Sequence, residues 1–104
     1  MATCTHLGTI EITELPPAVP GCEDCLRIGS PWLHLRICLA CGHVGCCDDS
    51  PNRHATAHSH GSGHPIIRSL EPGEDWCWCY VDELGMLIPE IHGVTRIPPS
   101  PLGG

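Results

Sequence analysis

Cys22-Glu23-Asp24-Cys25, Cys38-Leu39-Ala40-Cys41, Cys46, and then His54, His58 and His64 form a nested series through the middle of the chain. Each Cys-x2-Cys knuckle can place two thiolates on one ion, because a tight turn brings the sulfurs to about 3.7 Å, the edge of a tetrahedron with Zn–S bonds of about 2.3 Å. His54 and His58 are four residues apart and so share one face of a helix. Four knuckle thiols, one further thiol and three imidazoles are enough donors for two closed zinc sites. By spacing alone, either the knuckles contribute to different ions or they combine into a single tetrathiolate site.

Nine cysteines in a short chain also raise the disulfide scaffold of small secreted domains. The odd count, the interleaved histidines, and an opening Met1-Ala2-Thr3-Cys4 with no charged-then-apolar leader argue against it. Reduced thiols point to a cytoplasmic protein. No stretch approaches the ~20 apolar residues of a membrane span, so no membrane partner is expected.

At 104 residues, with Gly 12, Pro 11 and no Phe, the chain is one small domain short of core-forming side chains. Metal binding is therefore expected to supply much of the folding free energy, on the order of 10 kcal/mol per structural zinc. The formal charge is −7, lysine is absent, and the five arginines are scattered. A zinc bound by three thiolates and one imidazole still nets −1. No nucleic acid is expected as a partner, because phosphate-binding zinc modules present a basic face.

Residues 1–21 run from Cys4-Thr5-His6 through Ile10 and Ile12 to a proline-rich connector. Alternation from Trp32 to Leu39 predicts a half-buried strand with His34 exposed upon it. Ser50-Pro51 reads as a helix start, serine at the N-cap, with the helix running through His54 and His58 to about Gly61. Residues 66–71 and 75–81 read as a hairpin joined by a type II turn at Pro72-Gly73, and 86–91 as an edge strand interrupted by Pro89. The tail from 93 to 104 is expected to be flexible, leaving 1–92 as the domain.

The third of these strands, Asp75-Trp76-Cys77-Trp78-Cys79-Tyr80-Val81, puts Trp76, Trp78 and Tyr80 on one face and Cys77 and Cys79 on the other. The aromatic row is either the core of a protein poor in aromatics or a binding surface. The two thiols can join Cys4 and His6 in a third zinc site, at the less common Cys-x-Cys spacing.

The order Cys-x-His, Cys-x2-Cys, Cys-x2-Cys-Gly, Cys, His-x3-His, Gly-x-Gly-His-Pro, Trp-Cys resembles the zinc finger of ubiquitin-specific proteases (UBP type) over about residues 4–82. The resemblance implies an α+β fold: a small zinc-stabilised domain with a twisted antiparallel sheet, one or two short helices and interleaved sites. It pairs Cys22, Cys25, Cys46 and His54 on one zinc, and Cys38, Cys41, His58 and His64 on another. A third zinc takes Cys4, His6, Cys79 and Cys77, the family's Cys-x2-Cys having become Cys77-x-Cys79. Members that bind ubiquitin hold its C-terminal Gly-Gly among aromatics, here Trp76 and Trp78, with an arginine on the terminal carboxylate. In this chain Asp48 stands where that arginine is expected, which opposes a carboxylate ligand. The absence of lysine beside abundant Arg, Ala, Gly and Pro suggests a GC-rich genome and a stand-alone bacterial member.

These features predict a noncatalytic zinc module that recognises a protein or peptide, such as a free C-terminus, through Trp76, Trp78 and Tyr80. An enzyme is not expected, because the ligand supply closes the zinc sites and no paired-carboxylate, Gly-x-Ser-x-Gly or His-Glu-x2-His arrangement occurs. The alternative is a thiol- or zinc-responsive sensor using Cys47 or Cys77.

Overall fold

The computed structural model describes residues 4–103. Five strands, β1 (Leu35–Cys38), β2 (Val44–Cys46), β3 (Ile66–Ser69), β4 (Trp76–Cys79) and β5 (Leu84–Leu87), form one antiparallel sheet in the order β2-β1-β3-β4-β5. Two helices, α1 (Glu23–Ile28) and α2 (His54–Ser62), complete the α+β architecture, with a single 3-10 turn at Leu7–Thr9.

Register sorts the side chains. Leu35 faces Cys46, Ile66 faces Cys79 and Arg68 faces Cys77, while Arg36 faces both Gly45 and Ser69 and Ile67 faces Trp78. With alternation along each strand, Leu35, Ile37, Val44, Ile66, Cys77 and Cys79 share one face, and Arg36, Gly45, Ile67, Trp76 and Trp78 share the other. The first face is the core, where none of those six is more than 3% exposed. Leu15 and Ile91 close it, together with the half-buried Ile10, Ile12 and Val19. Trp32 is the aromatic that belongs to this core, while Trp76, Trp78 and Tyr80 remain half-buried outside it.

Local chemistry sets the helix ends. The Cys22 sulfur accepts the Cys25 N–H at the start of α1, Glu23 and Asp24 lie in the first turn and Arg27 in the last, and Gly29 terminates the helix in the left-handed region. Glu23 also accepts from the Val44 N–H at 2.7 Å, tying α1 to β2. Helix α2 begins later than its sequence suggests. Ser50 is buried and its hydroxyl accepts from the Leu33 N–H, so it braces the approach to β1 instead of capping. The first helical N–H, that of His54, is taken by the Cys46 sulfur at 3.2 Å.

Other differences follow from packing. The chain bends through 33–34, so the strand expected from Trp32 begins only at Leu35. The final strand lies at 84–87, before Pro89, and forms the sheet edge. Short β2, which lacks a long alternating pattern, is fixed by pairing with β1. The hairpin between β3 and β4 has the expected turn, with Gly73 at φ 78 and the Glu74 N–H on the Glu71 carbonyl.

The segment after 92, expected to be flexible, is instead held along residues 14–18. Glu14 bridges His92 and Ala18 bridges Arg96 in parallel, the buried Thr95 donates to the Pro16 carbonyl, and Ser100 donates to the Trp32 carbonyl. Residues 1–3 and 104 of the two expected spans lie outside the described residues.

Gly45 is where the sheet and α2 approach most closely. A Cβ there would lie 2.7 Å from the Ala55 nitrogen and 2.8 Å from its Cα, and backbone cannot swing away as a side chain can. Gly45→Ala is therefore expected to destabilise the domain by about 1–3 kcal/mol, the range for overpacking. Gly8→Ala, which meets nothing within 4 Å, should leave the thermal midpoint close to that of the unaltered protein. Thermal unfolding of both variants checks the contrast.

Candidate zinc clusters and the aromatic pocket

Three groups of donors converge, each with its ligand atoms within 4.8 Å of one another: Cys22, Cys25, Cys46 and His54; Cys38, Cys41, His58 and His64; and Cys4, His6, Cys79 and Asp82. In the first, His54 Nδ1 stands 3.4, 3.2 and 3.6 Å from the sulfurs of Cys22, Cys25 and Cys46, and the Cys25 and Cys46 sulfurs are 3.8 Å apart. A tetrahedral zinc with Zn–S near 2.3 Å and Zn–N near 2.0 Å has edges of about 3.5 Å for S···N and about 3.7 Å for S···S. The donors are already at that spacing. In the second group His64 Nδ1 is 3.5 Å from the Cys38 sulfur and His58 Nε2 is 3.3 Å from that of Cys41.

Thiol chemistry makes the same point. Burial pushes Cys22 up to about 12, although the Cys25 N–H on its sulfur works the other way. Cys46 and Cys38 are raised too, again by burial. Buried thiols gathered in this way stay protonated unless a cation joins them, and a thiophilic divalent ion is the partner the donor set suits.

The third group corrects the sequence reading. Cys77, expected beside Cys79, is not in it: Cys77 lies fully buried in the core face, two positions earlier in β4. The knuckle is completed in the other direction. Asp82 follows Cys79 at x2 spacing, its N–H donates to the Cys79 sulfur at 3.4 Å, and its carboxylate lies 3.0 Å from His6 Nδ1. The Thr5 N–H on that carboxylate holds its pKa down at about 2, so an anionic oxygen stands where a thiolate was expected. Cys-x2-Asp was the signal available for this.

His43 also escaped the sequence reading. Its ring stacks on that of His58 at 4.3 Å and its Nε2 lies 2.7 Å from Asp24, so it connects α1 to a donor imidazole. His34 belongs to none of the groups, as expected, but is half-buried near Glu71 and not in a strand. His60 is exposed and meets Tyr80 edge-on at 6.3 Å.

The sheet face opposite the core carries a cavity of about 260 Å3, lined by Trp76, Trp78, Tyr80 and Ile67, by Arg36, and by the Cys47–Asp48–Asp49 segment. The arginine was not anticipated at this site. Its guanidinium carbon sits 4.6 Å above the Trp76 ring, and Nη1 donates to the Leu35 carbonyl and to Ser69 Oγ. Asp48 accepts from the Thr56 hydroxyl, which in turn lies 3.2 Å from the Tyr80 hydroxyl, linking the loop after β2 to the end of the aromatic row.

A small α+β domain with Cys- and His-rich clusters at the junctions of its elements is a zinc finger. Residues 22–87 match the family described as the Zn-finger in ubiquitin-hydrolases and other proteins, and the chain belongs to that family. It is 29% identical over 92 residues to mouse ubiquitin carboxyl-terminal hydrolase 45, and 31% identical over 85 residues to mouse ubiquitin carboxyl-terminal hydrolase 16. These matches take in 73% and 68% of this chain but 11% and 10% of those proteins, so the chain spans about a tenth of their length. What matches is the zinc finger and not a hydrolase domain. The solution NMR structure of protein RPA1320 from Rhodopseudomonas palustris is similar at 52% identity, with a TM-score of 0.74 over 92% of this chain and 90% of that one.

Four substitutions separate donors from neighbours. His58→Ala and Asp82→Ala should each lower the zinc content measured by elemental analysis. Cys77→Ala should leave it unchanged, at a packing cost of about 1 kcal/mol for the lost sulfur. His60→Ala should change neither zinc content nor stability beyond about 0.5 kcal/mol.

Proposed function

We propose that the chain is a noncatalytic module, organised by zinc, that recognises a peptide segment of a protein partner through the Trp76–Trp78–Tyr80 pocket. The carrying observation is that this row lines an open cavity on the face opposite the core, where half-buried aromatic surface is free to meet a ligand. The ions proposed are one zinc on Cys22, Cys25, Cys46 and His54, one on Cys38, Cys41, His58 and His64, and a third on Cys4, His6, Cys79 and Asp82. Each set supplies four donors. A zinc with four protein ligands has no position for a substrate or an activated water, which favours a structural role. No helix among the described residues is long and apolar enough to cross a membrane. All nine cysteines are free, which favours a reducing compartment such as the cytoplasm.

The sensor alternative finds less support. Cys77 is fully buried and burial pushes its thiol up to about 11, so at neutral pH it is neither ionised nor accessible. Cys47 is 6% exposed at the edge of the pocket, within 3.4 Å of the Ser50 hydroxyl. That environment suits a packed side chain better than a redox target.

Removing zinc with a chelator should collapse the dispersed NMR spectrum to that of an unfolded chain, and restoring zinc should recover it. Screening the zinc-loaded chain against a peptide library should yield ligands whose binding falls about thirtyfold in Trp78→Ala, the loss of an aromatic anchor worth about 2 kcal/mol. Binding that survives Trp78→Ala, or a library that yields no ligand, would overturn the assignment of this pocket.

A further inference from the structure

Resting on that reading of the pocket, we infer that its ligand is the cationic end of a basic side chain, arginine or lysine, presented by a protein partner, and not a terminal carboxylate.

The lining carries two carboxylates, Asp48 and Asp49, against one guanidinium, Arg36. Arg36 is already engaged. Its Nη1 donates to the Leu35 carbonyl at 3.0 Å and to Ser69 Oγ at 3.2 Å, Glu74 Oε1 lies 3.9 Å from the same nitrogen, and the guanidinium rests over Trp76. A carboxylate ligand would have to draw this side chain away from four contacts while approaching two like charges. Asp48 and Asp49 are differently placed. Both are exposed, and among the described residues no basic group lies within ion-pair distance of either. Asp48 is oriented through its Oδ1, which takes the Thr56 hydroxyl, and that hydroxyl neighbours the Tyr80 hydroxyl. The Asp48 Oδ2 has no hydrogen-bond partner among the described residues, in a side chain that lines the same cavity as Trp78 and Tyr80.

Aromatic faces and carboxylates together are a receptor for cations. The ring quadrupole attracts a guanidinium or ammonium over its face, and a neighbouring carboxylate adds a charge-assisted hydrogen bond. Arg36 above Trp76 is an instance of that preference within the same wall, which leaves Trp78 and Tyr80 for an incoming group. A cavity of about 260 Å3 has room for one long side chain. At long range the net charge of −7 draws basic segments in and holds acidic ones off.

The test uses the zinc-loaded full chain and five-residue glycine peptides, acetylated and amidated, whose central residue is arginine, lysine, citrulline or glutamate. Two further glycine peptides carry either a free carboxylate or a free amino terminus. Indole N–H signals of Trp76 and Trp78 report binding. The arginine and lysine peptides should shift both signals and bind at least about tenfold more tightly than the citrulline peptide. Added salt and the double variant Asp48→Asn, Asp49→Asn should remove that margin while zinc content stays the same. Equal binding of arginine and citrulline peptides would overturn the inference. So would tighter binding of the free-carboxylate peptide, strengthened by Asp48→Asn; that result would leave peptide recognition at this pocket standing. Tighter binding of the free-amine peptide would move the assignment to an amino terminus and likewise overturn it. Silence from every peptide at millimolar concentration would remove the peptide-recognition reading together with this one.

Discussion

Buried sulfur that must carry charge is the constraint on which this fold depends. Seven cysteines sit in the three donor groups, and six of them are at most 5% exposed. A thiolate so placed is stable only beside a cation, and a cation that satisfies four donors fixes four chain positions at once. The donors come from different elements. Cys22 and Cys25 stand at the start of α1, Cys46 ends β2 and His54 begins α2; Cys38 ends β1, and His64 precedes β3. Cys4 and His6 meet Cys79 and Asp82 across more than seventy residues of chain. Zinc held in such groups joins elements that one apolar sheet face and a few flanking aliphatics could not hold alone.

The same geometry explains why there is a pocket. Helix α2 is anchored at its first residue by His54 and lies against the sheet over Gly45, so it covers only the β2 end of its face. The rest of that face is left to Arg36, Ile67 and the β4 aromatics. The segment that completes the cavity, Cys47 to Asp49, leaves directly from Cys46, so its position is set by a donor residue one bond away. Thr56, in the first turn of α2, then links Asp48 to Tyr80 and joins the two walls. The donor residues Cys46 and His54 thus position a rim that contributes no ligand itself.

Knuckle spacing made the donors legible in the sequence, because ligand chemistry imposes short, fixed separations, and the family resemblance divided eight of them into the two groups of four that converge here. Period-two alternation exposed β1 and β4 for the same kind of reason, and the Pro72-Gly73 turn marked β3 as the partner of β4. What escaped depended on contacts remote in sequence. Ser50 has the profile of a helix cap, but a hydrogen bond from Leu33 claims its hydroxyl. Three-residue β2 is too short for any period and exists through its pairing with β1. Cys77-x-Cys79 offers a second thiol at chelating distance in sequence, but Cys77 is buried in the core and the x2 turn after Cys79 brings Asp82 to the donors instead. Alternation puts Arg36 on the same strand face as His34, with no hint of an aromatic neighbour from another strand. Only the order of strands in the sheet places it above Trp76, two strands away from β1.

That placement bears on how a zinc scaffold of this kind varies its ligands. In the arrangement that the family resemblance implies, one arginine after the third thiol supplies the pocket's charge from a loop. Here the loop carries Asp48 and Asp49, and the arginine stands in β1 with its donors spent on Leu35, Ser69 and the face of Trp76. Arg36, Asp48 and Asp49 are in none of the donor groups, and none is buried in the core. Reversing the sign of the pocket therefore disturbs neither the metal sites nor the apolar face. The zinc-donor group and the charges of the proposed ligand pocket occupy adjacent positions, Cys46 beside Asp48 and Asp49, yet they answer to different physics: coordination geometry for the first, and, on the proposed reading, electrostatic complementarity with a partner for the second.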